Sequence, residues 1–336
     1  MLIPSIIQTV AGSGDRVIFG GGVRAIGRIP VDVDGHAGPT TEDLGQVSAA
    51  IAAGLFGTAY IGTAFAIRSF TPIGAAMWRG LLSTAILVVV AVVMGGRLRR
   101  MEMDWPRLWR LIVLGLTGGL GFVVSMNLAV SMAGATLAAF AASLSPVLAA
   151  LLAPVVLGEA LTLASVGGFA VAIVGTALLS DTNAGDVGPG VFFGLCASLC
   201  FGLFLLLSRR WSRPYRLSGT AIALSIAGAT WLGLLPVELL AEPERLIPQE
   251  LRTDALVGLL WLALVPGVLA QLLVVASVRR VETRSSAVML LISPVTAAVL
   301  AAYLLGETLS GWEIAGAGLV LVGVVGAAAL ERASTT

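Results

Sequence analysis

From residue 47 onward the chain is a succession of apolar runs, at about 47–67, 72–94, 109–131, 135–157, 163–180, 189–208, 217–240, 254–277, 285–305 and 311–330. Most are about 20 residues long, the length that carries an α-helix across a bilayer. The pattern predicts an all-α membrane protein of ten transmembrane helices joined by short loops. Upstream, residues 1–45 are rich in glycine, proline and acidic residues and hold no sustained apolar period. They are predicted to form a disordered cytoplasmic tail. Met1 to Val10 is too short for a secretory signal and is interrupted by Pro4 and Gln8.

Two of the runs are copies of each other. The stretch Ser145 to Glu159, SPVLAALLAPVVLGE, returns 148 residues later as Ser293 to Glu307, SPVTAAVLAAYLLGE. At that offset Ser145–Leu179 and Ser293–Ala327 agree at 14 of 35 positions, more than shared apolar composition supplies, so the chain is an internal repeat. Five helices per repeat is an odd number, so the second copy enters the membrane with opposite orientation. Inverted repeats of this kind put a substrate site at the repeat interface near the bilayer midplane.

Charge sets the orientation. Arginine supplies all 20 basic residues. With the N-terminus inside, 16 arginines fall in inner segments, three in outer ones (Arg68, Arg245, Arg252), and Arg79 lies within the membrane. Ten helices return the C-terminus to the cytoplasmic side. The whole chain is 57% hydrophobic and 12% charged, about half the charge of a soluble domain, and its net charge of +1 gives no case for nucleic acid. The partners expected are a small-molecule substrate and membrane lipid.

The inventory excludes several chemistries. His36, the sole histidine, lies in the tail, so the spans offer no histidine base or metal ligand. Cys196 and Cys200 share one helical face at a spacing unsuited to a relaxed disulfide. An intramembrane hydrolase would need a nucleophile with a basic partner or paired aspartates, and the span interiors contain no aspartate, histidine or lysine. No phosphate-binding loop signals ATP hydrolysis. The expectation is a protein that is not an enzyme and carries no cofactor and no metal.

The paired motif SPV-x-AA-x-LA-x3-LGE-x-L, one copy in each half of a ten-helix chain with inside termini, resembles the EamA family of the drug/metabolite transporter superfamily. The resemblance covers about 47–330 and divides the chain into a first repeat at 46–181 and a second at 188–331. It implies a multi-pass inner-membrane carrier that exports small metabolites, with amino-acid exporters among its members. It does not fix the substrate. Pro154, a second proline in the first copy, departs from the pattern.

Candidate residues follow from polarity inside the runs. Pro146 and Pro294 each delete a mid-helix hydrogen bond and free a carbonyl for a neighbouring helix, a water or a ligand; Ser145 and Ser293 precede them. Glu159 and Glu307 are placed in the first turns of helices 5 and 10, as caps facing the helix dipole on opposite sides of the membrane. Arg79 is roughly 10 Å deep at 1.5 Å per residue, and either holds a substrate carboxylate or packs partly toward the interface. Asn127 and Gln271 begin the runs NLAV and QLLV, which read as comparable positions in the two repeats. Both are expected to point inward, as site or as inter-helix glue. Tyr60 and Thr63 share a face with Phe56, and Trp78, Phe140, Trp231, Trp261 and Met289 supply bulky walls or anchors. Gly168, Gly175, Gly316 and Gly323 put small residues on helices 5 and 10 for scaffold packing or homodimer contact.

One cation, neutral amides and hydroxyls, and aromatic walls suit a small zwitterion with an apolar side chain. The expected function is therefore export of amino acids, neutral and aromatic ones foremost, by alternating access. A multidrug or nucleobase/nucleoside exporter is the alternative within the fold, and a scaffold or receptor the alternative outside it. Glu238 and Glu313 lie close to helix ends, so facilitated export, or coupling without an internal carboxylate, is expected.

Overall fold

The computed structural model describes residues 41–93, 104–158, 163–179, 187–241, 243–278 and 292–333. Its helices are α1 (Thr41–Ala66), α2 (Pro72–Val93), α3 (Trp105–Gly115), α4 (Phe122–Ala142), α5 (Ser145–Leu157), α6 (Leu163–Leu179), α7 (Val187–Ser212), α8 (Gly219–Ala241), α9 (Thr253–Leu264), α10 (Gln271–Val278), α11 (Ile292–Leu304) and α12 (Gly311–Ala333). No strand occurs among the described residues. Among the described residues six helical stretches are long and apolar enough to cross a membrane and four more apolar helices are shorter; together they overlap all ten runs read from the sequence, with Trp105–Ala142 taking in the third run and the start of the fourth. α1 opens at Thr41, inside the stretch assigned to the tail; residues 1–40 lie outside the described residues.

α3 and α4 are joined by a π-helical turn, Leu116–Gly121, and α9 and α10 by a second one, Val265–Ala270. The two occupy corresponding places in the halves. Both have a local cause, since one contains Gly118, Gly119 and Gly121 and the other contains Pro266, which lacks an N–H, followed by Gly267. Single π turns inside α-helices recur at functional sites.

α4 reverses direction at Gly134, whose φ of 80° and ψ of 172° only glycine adopts readily. The packing against α7 shows the reversal. Gly118 and Gly121 face Phe204 and Cys200, Ala133 meets Gly190 at the turn, and then Ala141 faces Gly194 while Ala149 faces Gly202. The chain thus travels up α7 and back down it, as the runs at 109–131 and 135–157 predict.

Close backbone contacts repeat across the halves. Gly202 of α7 sits on the backbone of Ser145 and Ala149, and Gly57 of α1 sits on that of Ser293 and Ala297. Likewise Gly175 of α6 rests on Gly316 and Val320, while Gly323 of α12 rests on Gly168 and Ala172. The four glycines read from the sequence therefore pack α6 against α12 within one chain. The largest core joins α1, α2, α3, α4, α7, α8, α9 and α11, and a separate cluster of Leu137, Phe140, Leu144 and Val147 packs on Ala172, Val320 and Val324 of the α6–α12 pair.

Pro146 lies not in mid-helix but in the first turn of α5, where its missing N–H costs little. Its presence still frees the carbonyl of Ala142, four residues earlier. Ser198 Oγ of α7 donates to that oxygen at 3.1 Å, so a neighbouring helix answers the proline. Pro294 occupies the third position of α11 and is buried.

Candidate functional site

Two cavities adjoin where the halves meet. The first, of about 40 Å³, is lined by Phe56, Ala59 and Tyr60 of α1, Arg79 of α2, Phe122, Met126, Ala139 and Ala142 of α4, Ser143, Ser145, Phe201 of α7, and Ser293 and Pro294 of α11. The second, of about 20 Å³, is lined by Phe56, Arg79, Gly80, Ser83, Gly118, Phe122, Val123, Phe201, Ile226, Ala227, Thr230, Pro266, Gly267 and Gln271. Phe56, Arg79, Phe122 and Phe201 belong to both. Gly118 and Gly267 bring both π-helical turns to the second cavity. A water needs about 10–15 Å³ on this measure, so the first cavity holds two or three, and a substrate needs this interface to widen.

The common wall is aromatic. Phe201 stands 4.9 Å from Phe122, 5.7 Å from Phe204 and 6.4 Å from Phe56, ring centre to ring centre. The one cation in this wall is Arg79, 6% exposed. Its Nη1 finds no hydrogen-bond partner among the described residues. Gln271, 5% exposed, likewise leaves Nε2 without a partner. Neighbouring hydroxyls are committed: Ser83 Oγ donates to Ala263 O at 3.0 Å and Thr230 Oγ1 to Ile226 O at 2.8 Å. No carboxylate among the described residues lines either cavity. The nearby buried acid of α8, Glu238, accepts from Thr71 Oγ1 at 3.0 Å at the start of α2 and keeps Oε2 unpartnered.

The sequence candidates separate on this geometry. Tyr60, Arg79, Ser145, Ser293 and Pro294 come together around the first cavity, and Gln271 joins Arg79 in the second. Asn127 lines neither. Its Nδ2 donates to Pro72 O at 2.9 Å and its Oδ1 accepts from Thr63 Oγ1 at 3.3 Å, so both residues tie α1, α2 and α4 together. Asn127 and Gln271 are thus not equivalents, since they are 144 residues apart in a repeat whose offset is 148. Trp78 Nε1 donates to Leu246 O at 2.8 Å, outside both linings. Phe140 is buried against the α6–α12 pair. Trp231 packs on the main core beside Thr230, and Trp261, 45% exposed, donates to Thr58 Oγ1. Met289 and Glu159 lie outside the described residues.

Glu307 caps a different helix from the one expected. Its carboxylate accepts from Ala135 N at 2.9 Å, Thr136 N at 3.1 Å and Thr136 Oγ1 at 2.6 Å. Those are the free donors of the α4 segment that starts after Gly134, so the cap crosses from the second half to the first. The start of α12 is served instead by a capping box, in which Ser310 N donates to Glu313 Oε2 and Glu313 N to Ser310 Oγ.

Reading the sequence did not pick out Phe122, Met126, Phe201, Ser83, Thr230 or the two π-helical turns. The turns left a signal in the run Thr117–Gly121, TGGLG, and in the pair Pro266–Gly267. The phenylalanines left none, because these helices are apolar on every face.

Residues 43–181 and 188–329 each match the EamA-like transporter family. The chain is 28% identical to Protein PecM of Dickeya dadantii over 78% of this chain and 84% of that protein. It is 23% identical to an uncharacterized transporter of Archaeoglobus fulgidus over 80% and 93% of the two chains. A crystal structure of a protein superposes with a TM-score of 0.65 at 19% identity, over 88% of this chain and 100% of that one.

Proposed function

The chain belongs to the EamA-like transporter family, and from that premise we propose that this membrane transporter exports small metabolites, amino acids foremost, by alternating access between two inverted five-helix repeats. In this reading ten helices span the inner membrane with both termini in the cytoplasm. The observation that carries it is the buried Arg79 in an aromatic wall shared by two cavities, at the interface of the halves. A cation beside apolar rings suits a carboxylate that carries an apolar side chain. The duplicated glycine contacts support alternating access, because similar packing in each half lets the site open to either side. Glu238 and Glu313 are the acids nearest to a coupling role, and neither lines a described cavity. We read the transport as facilitated export down a substrate gradient, or as coupled without an internal carboxylate.

Counterflow into proteoliposomes of purified protein tests this, with labelled amino acids set against nucleosides and a cationic dye. Saturable uptake of neutral and aromatic amino acids is expected. Uptake of the dye or the nucleosides alone would keep the fold and replace the substrate class.

A further inference from the structure

Resting on the transport reading, the structure assigns recognition to the substrate's carboxylate and not to its ammonium. We propose that the paired cavities form an acid-selective site. Arg79 and Gln271 hold a carboxylate, Phe56, Phe122 and Phe201 enclose the apolar remainder, and no anion among the described residues lines the cavities to pair with an α-amino group. A deaminated analogue, such as 3-phenylpropanoate for phenylalanine, is then a competent ligand.

The argument is an account of donors and acceptors. Arg79 Nη1 and Gln271 Nε2 are buried donors without partners, and both residues line the second cavity. A buried, unpaired guanidinium is expensive, and an unpaired amide donor less so. Each calls for an acceptor, and a carboxylate offers two adjacent acceptor oxygens and charge-assisted bonds. The oxygens that an ammonium could meet are neutral: the hydroxyls of Ser83 and Thr230, which donate to backbone carbonyls, and those of Tyr60, Ser145 and Ser293 around the first cavity. An ammonium needs acceptors or an anion. No carboxylate among the described residues lines either cavity, and Glu238 is held by Thr71 at the start of α2. Those neutral oxygens and the faces of the three phenylalanines are what remains to hold a cation, and they are weaker than an anion. Arg79 shares that wall and repels a second positive charge brought against it.

The test is competition against labelled phenylalanine in counterflow, with 3-phenylpropanoate, 2-phenylethylamine and unlabelled phenylalanine as competitors. Calorimetric binding of 3-phenylpropanoate to the purified protein runs beside it. The acid is expected to compete within about tenfold of phenylalanine and to bind measurably, while the amine fails to compete. Arg79→Gln should weaken binding of the acid about ten- to a hundredfold, with Arg79→Lys recovering part of it. Size-exclusion profiles confirm that the variants are folded. If Arg79→Gln does not fold, Gln271→Leu must weaken the acid's binding by about tenfold instead. Competition by the amine and not the acid overturns the proposal in favour of recognition by the rings. Failure of both, with phenylalanine still transported, overturns it by showing that the ammonium is read as well. Binding of the acid without any saturable amino-acid uptake supports the site and sinks the amino-acid export reading alone.

Discussion

Gly175 rests on the backbone of Gly316 and Val320, and Gly323 rests on that of Gly168 and Ala172; adding 148 to Gly175 and subtracting it from Gly316 and Val320 turns the first contact into the second. The cavity walls repeat only in part. Ser145 and Ser293 both line the first cavity, and the packed glycines Gly57 and Gly202 pair Phe56 with Phe201, but Arg79 of α2 corresponds at the offset of 148 to Ala227 of α8 in the second cavity. Helix contacts and part of the lining are thus duplicated, while the charge is not. The difference separates two jobs. A duplicated scaffold supplies two equivalent packings, which alternating access needs, whereas a single charge in an otherwise uncharged wall gives a ligand one preferred orientation. The lining is where the halves can differ without disturbing the helix pairs.

The largest expected effect lies in the scaffold. A Cβ at Gly175 would sit 2.6 Å from Val320 N, and one at Gly323 would sit 2.7 Å from Gly168 O. Backbone atoms cannot step aside, so Gly175→Leu and Gly323→Leu should each cost more than about 3 kcal/mol and abolish the monodisperse peak in size exclusion. Gly318→Ala, on the same helix with no neighbour within 4 Å, should be silent. Normal folding of either leucine variant would mean that α6 and α12 separate without consequence, leaving the duplicated contact idle.

The lining predicts the opposite sign. Arg79 has a buried, unpartnered guanidinium nitrogen, so Arg79→Met should raise the thermal midpoint while it removes transport of carboxylates. A gain of about 1–4 kcal/mol is the range seen when buried ionic groups are replaced by packed apolar ones. A fall in the midpoint would show that the guanidinium belongs to the scaffold, and the contrast between the two regions would fail at its most visible residue.

Glu307 stands between these classes, a side chain of the second half whose three bonds all go to the first. Glu307→Ala should cost about 2 kcal/mol, the loss of a charged cap over several donors. Glu307→Gln should cost about half of that, since one carbonyl oxygen can still accept. Equal losses would mean that charge alone, acting on the helix dipole, is what matters.

These residues also show which features a sequence makes legible. The repeat offset, the four glycines and Arg79 were readable, because each is either a duplicated letter or a formal charge in an apolar run. The partner of Glu307 was not, for Ala135 is 172 residues away and capping is read locally from the sequence. Asn127 and Gln271 misled by resemblance of spacing: one amide knits three helices and the other borders a cavity. Phe201 was invisible because an apolar helix surrounded by lipid and protein has no polar face to point away from its core.

The smallest effect tests the pairing of Ser198 with the carbonyl that Pro146 frees. Ser198→Ala leaves Ala142 O without its donor and should cost about 1 kcal/mol. Pro146→Ala restores an N–H four residues beyond Ala142, which can fill the same acceptor from within the helix. The double variant should therefore be more stable than the sum of the single changes predicts, with a coupling of at least about 0.5 kcal/mol. Additive changes would show that the carbonyl is served otherwise, and that the serine and the proline are independent. This coupling is specific to the first half. The positions matching Ser198 in α1 are Ala50 by sequence offset or Ala53 by the packed glycines, and neither carries a hydroxyl. The halves therefore share the proline and the glycine seat but differ in how the freed carbonyl can be answered. Even within the scaffold, the duplication extends to shape before it extends to hydrogen bonding.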